Sequence, residues 1–372
     1  MKCKLSDICS FRKGKVEVEN LNAKNYISTE NMLPNKCGIT EASSLPTVSL
    51  TQEYKNGDVL VSNIRPYFKK IWQAQYDGGC SNDVLVFVPK PNTDKDFLYY
   101  VLADDDFFTY SMATSKGTKM PRGDKTSIMQ YEVPLIDLQV QKKIASVLKA
   151  LDEKIELNNE INNNLEQQAQ AIYQQMFIDN ARSNWAEGTL SDIADITMGQ
   201  SPSGSSYNED GTGTIFFQGR AEFGFRFPSV RLYTTEPKRM ALSNDTLMSV
   251  RAPVGDLNVA HMDCCIGRGL AAIHSKSHHQ SFVLYTMFSL KKQLDVFNGE
   301  GTVFGSINRN SLNDMPILIP SYDILDEFER TVAPMDLTIR NNYDENCRLQ
   351  DIRDTLLPRL MSGELDVSDI DL

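Results

Sequence analysis

Ten residues, Lys116-Gly117-Thr118-Lys119-Met120-Pro121-Arg122-Gly123-Asp124-Lys125, place four cations around two glycines. Lysine and arginine are the side chains that meet phosphate, and arginine, asparagine and glutamine are those that read base edges. Glycine lets a backbone come close to a ligand. The stretch therefore has the chemistry of a polyanion-binding loop. Arg65, Lys69 and Lys70 make a second basic patch. Further along, Gln218, Arg220, Arg226 and Arg231 interleave with Phe223, Phe225 and Phe227, and Arg251 and Arg268 follow. The alternation F-x-F-x-F is also that of a half-buried strand. A surface salt bridge is the competing role for each arginine taken singly.

Residue types for bond-making chemistry are not assembled. An amino-methyltransferase needs a D/N/S-P-P-Y/F loop. The nearest stretch, Ile64-Arg65-Pro66-Tyr67-Phe68, lacks the polar first residue and one proline, and reads as a strand end. No G-x-x-x-x-G-K-S/T loop offers to hold ATP. Glu53-Tyr54-Lys55 has the E-x-K of some nucleases without a convincing carboxylate partner. His274, His278 and His279 lack ligands at metal spacing and read as a solvated loop. Seven cysteines without C-x-x-C, two of them adjacent at Cys264-Cys265, imply reduced thiols and a cytoplasmic protein. The start M-K-C-K-L-S-D-I lacks the apolar stretch of a signal peptide. No run of about 18 apolar residues suggests a membrane span.

The elements that must position these loops occur twice. Leu5-Ser6-Asp7-Ile8 returns as Leu190-Ser191-Asp192-Ile193. Asp58 to Pro66 lies over Asp245 to Pro253, sharing D, L, S and P. Gly117-Thr118 lies over Gly301-Thr302, and the register then holds without a gap: Ser127 over Ser311, Asp152 over Asp336, Ile155 over Ile339, Leu165 over Leu349. The chain reads as a tandem repeat, each copy a globular block followed by a helix. The repeat mate of the basic loop runs from Gly301-Thr302 to Asn310 and offers Ser306, Asn308, Arg309 and Asn310.

Residues 138–182 contain neither glycine nor proline. Ile144, Leu148, Leu151, Ile155, Leu165, Ala169, Ile172 and Met176 recur at steps of four and three, with Asn158 and Asn162 in the gaps. The mate runs Phe328, Val332, Met335, Ile339, Asn342, Asn346, Leu349, Arg353, Leu356 and Leu360. This is a heptad seam with a polar centre. Two amphipathic helices packed each on its own block would give the same stripe. The reading adopted is a coiled coil between the two, antiparallel because the ends of a compact domain lie close together. A helix of about 40 residues spans roughly 60 Å. The expected architecture is thus α+β, with globular blocks at 1–137 and 183–320 and helical regions at 138–182 and 321–372, related by a pseudo-twofold axis. Pro334, where the first helix has Ala150, predicts a kink or short break. Val84–Val88 and Ile317–Ile319 read as strands, and 96–109 and 280–296 as helices.

The net charge of −11 argues against nucleic acid until it is located. Residues 1–137 hold 17 Lys+Arg against 17 Asp+Glu, and residues 183–320 hold 11 against 13. Residues 321–372 hold 5 against 13. The acidity lies at the C-terminal end, and each block is free to present a basic face.

At this point a family resemblance is strong. The stretch V-P-L-I-D-L-Q-V-Q-K-K-I-A-S-V-L-K-A-L-D-E-K-I-E-L-N-N-E-I-N (133–162) resembles the central helical region of specificity subunits of type I restriction-modification systems. R-D-T-L-L-P-R-L-M-S-G-E-L (353–365) resembles the same family, and M-G-Q-S-P-S-G-S-S-Y-N (198–208) and S-V-R-A-P-V-G-D (249–256) resemble parts of its target-recognition domains. The resemblance implies that each block is a target-recognition domain reading half of a split sequence in double-stranded DNA, with the helices setting the unread spacer. It implies two modification subunits, adenine-N6 methyltransferases using S-adenosylmethionine, and two restriction subunits using ATP and Mg. This chain would itself bind no cofactor and no metal, carry no catalytic residue and meet no membrane. Two readers on one face of a duplex need sites about one turn apart, roughly 34 Å. The DNA contacts expected are Arg65, Lys69, Lys70, Lys116, Thr118, Lys119, Arg122, Lys125, Gln218, Arg220, Arg226, Arg231, Arg251, Arg268, Ser306, Asn308 and Arg309. Lys142, Lys143, Asp152 and Glu153, on the outer helix faces, are candidates for docking the methyltransferase. A coiled-coil scaffold that never touches DNA is the alternative.

Overall fold

The computed structural model describes residues 2–299 and 305–367. The chain divides into two compact units, Met1–Glu156 with Asn346–Leu372, and Leu157–Glu345. Each mixes helix and sheet, and the order of strands in one is largely the order in the other. In the first unit, strands Cys9–Phe11, Val84–Pro89, Val59–Ser62 and Ile71–Gln73 lie side by side. In the second, Ala194–Met198, Leu270–Ser275, Thr246–Ser249 and Leu257–Val259 do so in the same sequence. The two central strands of each sheet are almost wholly apolar or buried, as strands covered on both faces must be. A second sheet in each unit contains one parallel pair, Tyr26–Ile27 with Gly78–Cys80, and Thr214–Phe217 with Cys264–Ile266.

The duplicated L-S-D-I is a duplicated structural part. Each copy is one helical turn, Leu5–Ile8 and Leu190–Ile193, whose aspartate accepts the backbone N–H three residues earlier. Leucine and isoleucine of each enter the core. The carbonyls of Ser6 and Ser191 accept the ammonium groups of Lys90 and Lys276, each at 2.5 Å. The backbone N–H of Leu5 bonds the carbonyl of Tyr131, and that of Leu190 the carbonyl of Met315.

Each globular part opens and closes on a two-stranded antiparallel ribbon: Lys2–Lys4 with Glu132–Pro134, and Ala186–Thr189 with Pro316–Ile319. A long helix leaves each ribbon. We call them α1, Leu138–Tyr173, and α2, Tyr322–Ser362. The first continues into a π-helical turn, Gln174–Asp179. The second stays helical through Pro334, and through Pro358, so the break expected at Pro334 is absent. Each proline forfeits a backbone hydrogen bond. The buried residues flanking them, Val332, Ile339, Leu357 and Leu360, hold the helix against its core. Gly363, at φ +75°, ends it.

The seam residues serve two kinds of packing. Ile144 and Leu148 of α1, with Leu357, Leu360 and Met361 of α2, belong to the core of the first unit. Ala169, Tyr173, Phe328, Val332 and Ile339 belong to that of the second. Ile155, Asn158, Asn162 and Asn346 are buried, and Leu151, Leu165, Met335, Asn342 and Leu349 half-buried. Helix touches helix directly as well. In the second unit Asn342 donates to Asn162 at 2.8 Å and Asn158 donates to Glu345 at 2.8 Å. As numbers rise along α1 they fall along α2, so this pairing is antiparallel. The helices expected at 96–109 and 280–296 are each two shorter ones, Lys95–Ala103 and Asp105–Ala113, and Gln280–Ser289 and Lys291–Asp295. In the first pair, Asp94 and Asp104 cap the two starts with their own carboxylates.

Candidate nucleic-acid interface

In the first unit three loops are tied by their backbones into one surface. After the strand Val59–Ser62 the chain turns through Pro66–Phe68, a 3-10 turn where the sequence predicts a strand end. The N–H of Arg65 bonds the carbonyl of Pro121, and the N–H of Gly123 that of Asn63. Lys116 and Arg122 exchange backbone hydrogen bonds at 2.8 and 3.0 Å, closing the basic loop on itself. On the other side, the N–H groups of Asn35 and Lys36 bond the carbonyls of Phe68 and Lys69 at 2.8 and 2.9 Å. Asn35, Lys36, Arg65 and Lys69 all lie in the left-handed region, with φ between +50° and +63°. For residues other than glycine this costs about 1–3 kcal/mol each and persists only where neighbours enforce it.

The structure thus brings together Lys36, Arg65, Lys69, Lys70, Lys116 and Arg122. Carboxylates pin several of them. Lys36 and Lys69 share Asp105 at 2.8 and 2.7 Å, Arg122 reaches Asp83 at 3.3 Å, and Lys116 reaches Asp124 at 3.0 Å. The Asp105 carboxyl is held below its usual range although desolvation, the largest influence, pushes it up, because both lysines donate to it. Asp124 is lowered to about 2 by the Ser127 hydroxyl first and by Lys116 next. Lys70 donates to the carbonyl of Thr29 at 2.6 Å, and burial lowers its pKa. The Nε of Arg65 is buried without a hydrogen-bond partner. Thr118 and Lys119 stand exposed at the loop end, while Lys125 lies over the Phe11 ring. The two glycines are needed by the loop itself. Gly117 has φ +93°, and a Cβ on Gly123 would come within 2.7 Å of the Asn63 side chain. Both glycines let the loop fold against its own domain.

In the second unit the equivalent strands meet in the same way: Arg251 and Ser306 form a bridge, as Ile64 and Arg122 do in the first. Both Arg251 and Ser306 are exposed. Gly301-Thr302 lies outside the described residues. Asn308 is exposed, and its side-chain oxygen caps the helix Arg309–Asn313 by accepting from the N–H of Ser311. Asp124 plays the same part toward Ser127. Arg309 is exposed at the start of that helix. The hydroxyl of Ser201 accepts from both Gln218 and the backbone of Arg268, gathering those two. Arg220 pairs with Asp256 at 2.7 Å, and Arg231 with Glu209 and Glu222 at 3.2 and 3.1 Å.

Three expectations from sequence need correction. Arg226 is 5% exposed, its charge spent inside its own unit. It ion-pairs with Glu166 at 2.9 Å and Asp336 at 3.0 Å and donates to the Tyr285 hydroxyl at 3.2 Å. Burial raises the pKa of Glu166, and Arg226 offsets part of that. The surrounding F-x-F-x-F is a bend rather than a strand, with Phe227 buried and Phe225 half exposed. Asp152 does not face outward. It accepts from Tyr100 at 2.8 Å and pairs with Arg353 at 2.9 Å. Lys142 and Glu153 are exposed and Lys143 half-buried. His279 is not in a solvated loop either. It is 6% exposed, between Ser277 at 2.9 Å and Asp326 at 2.8 Å, while His274 meets Asp245. His274 and His279 hold separate aspartates, and His278 is exposed. Among the described residues no three metal-binding side chains converge, and no helix is long and apolar enough to cross a membrane. Cys9, Cys80 and Cys264 are buried thiols pushed up to about 12 by burial, which makes them poor nucleophiles. A cavity of about 350 Å³ in the second unit has polar walls already paired internally, Arg226 with Asp336 and Arg340 with Asn244.

Two features escape a reading of the sequence. Tyr67 and Phe68 project from the Pro66–Phe68 turn, 49% and 38% exposed, their rings 4.6 Å apart. Lys36 joins the basic surface from a distant part of the chain. The only sequence signal for the first is Arg-Pro-Tyr-Phe-Lys-Lys, aromatics set between cations.

Residues 1–167 match the family described as type I restriction modification DNA specificity domain. A Methanocaldococcus jannaschii protein, provisionally named as the type I restriction enzyme MjaX specificity subunit, is 28% identical over 340 residues, covering 84% of this chain and 79% of that one. The type I restriction enzyme HindI specificity subunit of Haemophilus influenzae is 24% identical over 436 residues, covering 91% and 94%. A solved S subunit of a type I restriction-modification system from M. genitalium superposes with a TM-score of 0.61 at 16% identity, over 97% of this chain and 96% of that one. The last likeness is one of fold.

Proposed function

Because the chain belongs to the specificity subunits of type I restriction-modification systems, we propose that each of its two globular parts reads one half of a split DNA target. The observation that carries this is the recurrence of one scaffold with different side chains at the same loop ends. Ile64 meets Arg122 in one unit where Arg251 meets Ser306 in the other. A reader of two unlike half-sites needs such a frame, constant in its strands and variable where side chains reach the grooves. Lys116, Lys119, Arg122 and Lys70 supply phosphate contacts in the first half, and Arg251, Arg268, Gln218 and Arg309 are the candidates in the second.

The reading extends to partners. α1 and α2 act as a coiled coil that fixes the distance between half-sites and docks two adenine-N6 methyltransferase subunits. Their exposed faces, with Lys142 and Glu153, are the surface for it. Two restriction subunits complete the assembly. S-adenosylmethionine, ATP and Mg belong to those partners, and this chain contributes recognition without chemistry. The work is done in the cytoplasm, where the host DNA lies. A scaffold that never touches DNA is disfavoured by the strained, cation-rich loop surface, which a scaffold has no need to maintain.

Mapping N6-methyladenine across the host genome with and without this gene tests the proposal. The expected result is one motif, two short halves about a fixed gap, that disappears on deletion. Exchanging residues 1–137 for those of a relative should change one half only. If the methylation map is the same with and without the gene while the methyltransferase is present, the proposal is wrong.

A further inference from the structure

We propose that the Pro66–Phe68 turn is the base-contacting tip of the first unit, and that Tyr67 and Phe68 read one half-site by apolar contact inside a DNA groove. The inference rests on the specificity reading above and adds to it the residues that discriminate.

Single exposed aromatics are ordinary on protein surfaces. This pair is not ordinary, for four reasons. First, the turn is bracketed by two left-handed residues, Arg65 and Lys69, neither of them glycine. Second, that conformation is enforced from both sides, by Asn35 and Lys36 at one edge and by Pro121 at the other. Two rings are thereby held out of the core at 49% and 38% exposure. Third, cations flank them in the chain and in the adjoining loop: Lys36, Arg65, Lys69 and Lys70, with Lys70 lying 5.8 Å from the Phe68 ring centre, while Asp105 pins Lys36 and Lys69, and Glu30 and Asp104 lie within electrostatic reach of Lys70 and Lys36. An apolar point flanked by cations suits a duplex, whose phosphates flank bases that offer faces and thymine methyl groups. Fourth, the scaffold does not require the rings. At the equivalent place in the second unit, Pro253 is followed by Val254, fully buried, and Gly255. The aromatics are particular to one tip, as a specificity element must be.

The flanking cations and the rings should separate in experiment. Phosphate contacts lower affinity for every sequence alike, and base contacts change the preference among sequences. The measurement is fluorescence anisotropy of the chain assembled with its methyltransferase subunits, on the motif found by methylation mapping and on duplexes with either half scrambled. For Tyr67→Ala/Phe68→Ala we expect at least about tenfold weaker binding to the intact motif. Discrimination should shrink against the half scrambled on one side and persist on the other. Lys119→Ala should weaken binding to all three duplexes by a similar factor and flatten the salt dependence. Size-exclusion and the thermal midpoint report whether the variant assembles and folds. If it does both and binds and discriminates as the wild type does, the proposal is overturned. If it folds but no longer joins the methyltransferase, the tip is a protein-docking element, and the proposal is equally overturned. A wild-type complex that does not distinguish the duplexes at all overturns the specificity reading itself, a separate result.

Discussion

The two units solve one electrostatic problem from opposite directions. In each, a tyrosine of the globular part, Tyr100 or Tyr285, donates to an aspartate of a long helix, Asp152 or Asp336. In each, a guanidinium completes the trio. In the first unit it is Arg353, which comes from the other long helix. In the second, the position that matches Arg353 in the repeat is Ala169, fully buried, and Arg226 arrives instead from a bend in the globular part. What the scaffold holds constant is a satisfied carboxylate, and the source of its partner is free to move. The same lesson applies at the residue just before a central strand, where Asp58 takes Arg12 and Asp245 takes His274.

The two trios differ most in what the loss of their guanidinium should cost, and the larger cost falls at Arg226. Arg226→Ala leaves Glu166 and Asp336 without their buried partner and should cost about 3–5 kcal/mol, read by denaturant unfolding of the full chain. Adding Ala169→Arg to that variant sharpens the test. If the two trios are interchangeable, the new arginine should recover part of the loss, whereas Ala169→Arg alone overpacks the core and should destabilise. Arg353→Ala comes next. Its side chain and that of Asp152 are 25% and 30% exposed, so solvent screens the pair and about 1–2 kcal/mol is expected. A loss as large as that of Arg226→Ala would sink the distinction. The smallest effect concerns acid. Asp124, lowered to about 2, contributes stability above its ordinary value, and that contribution is lost as pH falls through about 2. Its repeat mate Asn308 does not titrate. Hydrogen exchange should therefore rise at Ser127 between about pH 4 and pH 2 while Ser311 keeps its protection until the fold as a whole gives way.

Much of the frame was legible because repetition and heptad spacing are properties of letters. The L-S-D-I turns, the Asn158–Asn162 pair and its mates, and the apolar strand at Val84 all follow from pattern and periodicity. The interface was less so. Arg226 and Asp152 looked available because charge on a sequence does not say which way a side chain points. Tyr67 and Phe68 looked like a strand end because the left-handed residues that lift them are imposed by a loop some thirty residues away in the chain and by another some fifty away. Such backbone geometry has no local signature when the residue is arginine or lysine rather than glycine.

The paired ribbons that open and close each globular part carry one more consequence. Lys2–Lys4 lies against Glu132–Pro134, and Ala186–Thr189 against Pro316–Ile319. A block whose first and last strands are hydrogen-bonded neighbours behaves as a cassette. Genetic crossover at the ribbons replaces the insert without cutting a strand pairing inside it, and the incoming block must then repack Ile144, Leu148 and Leu357 in the first unit, or Ala169, Tyr173 and Phe328 in the second.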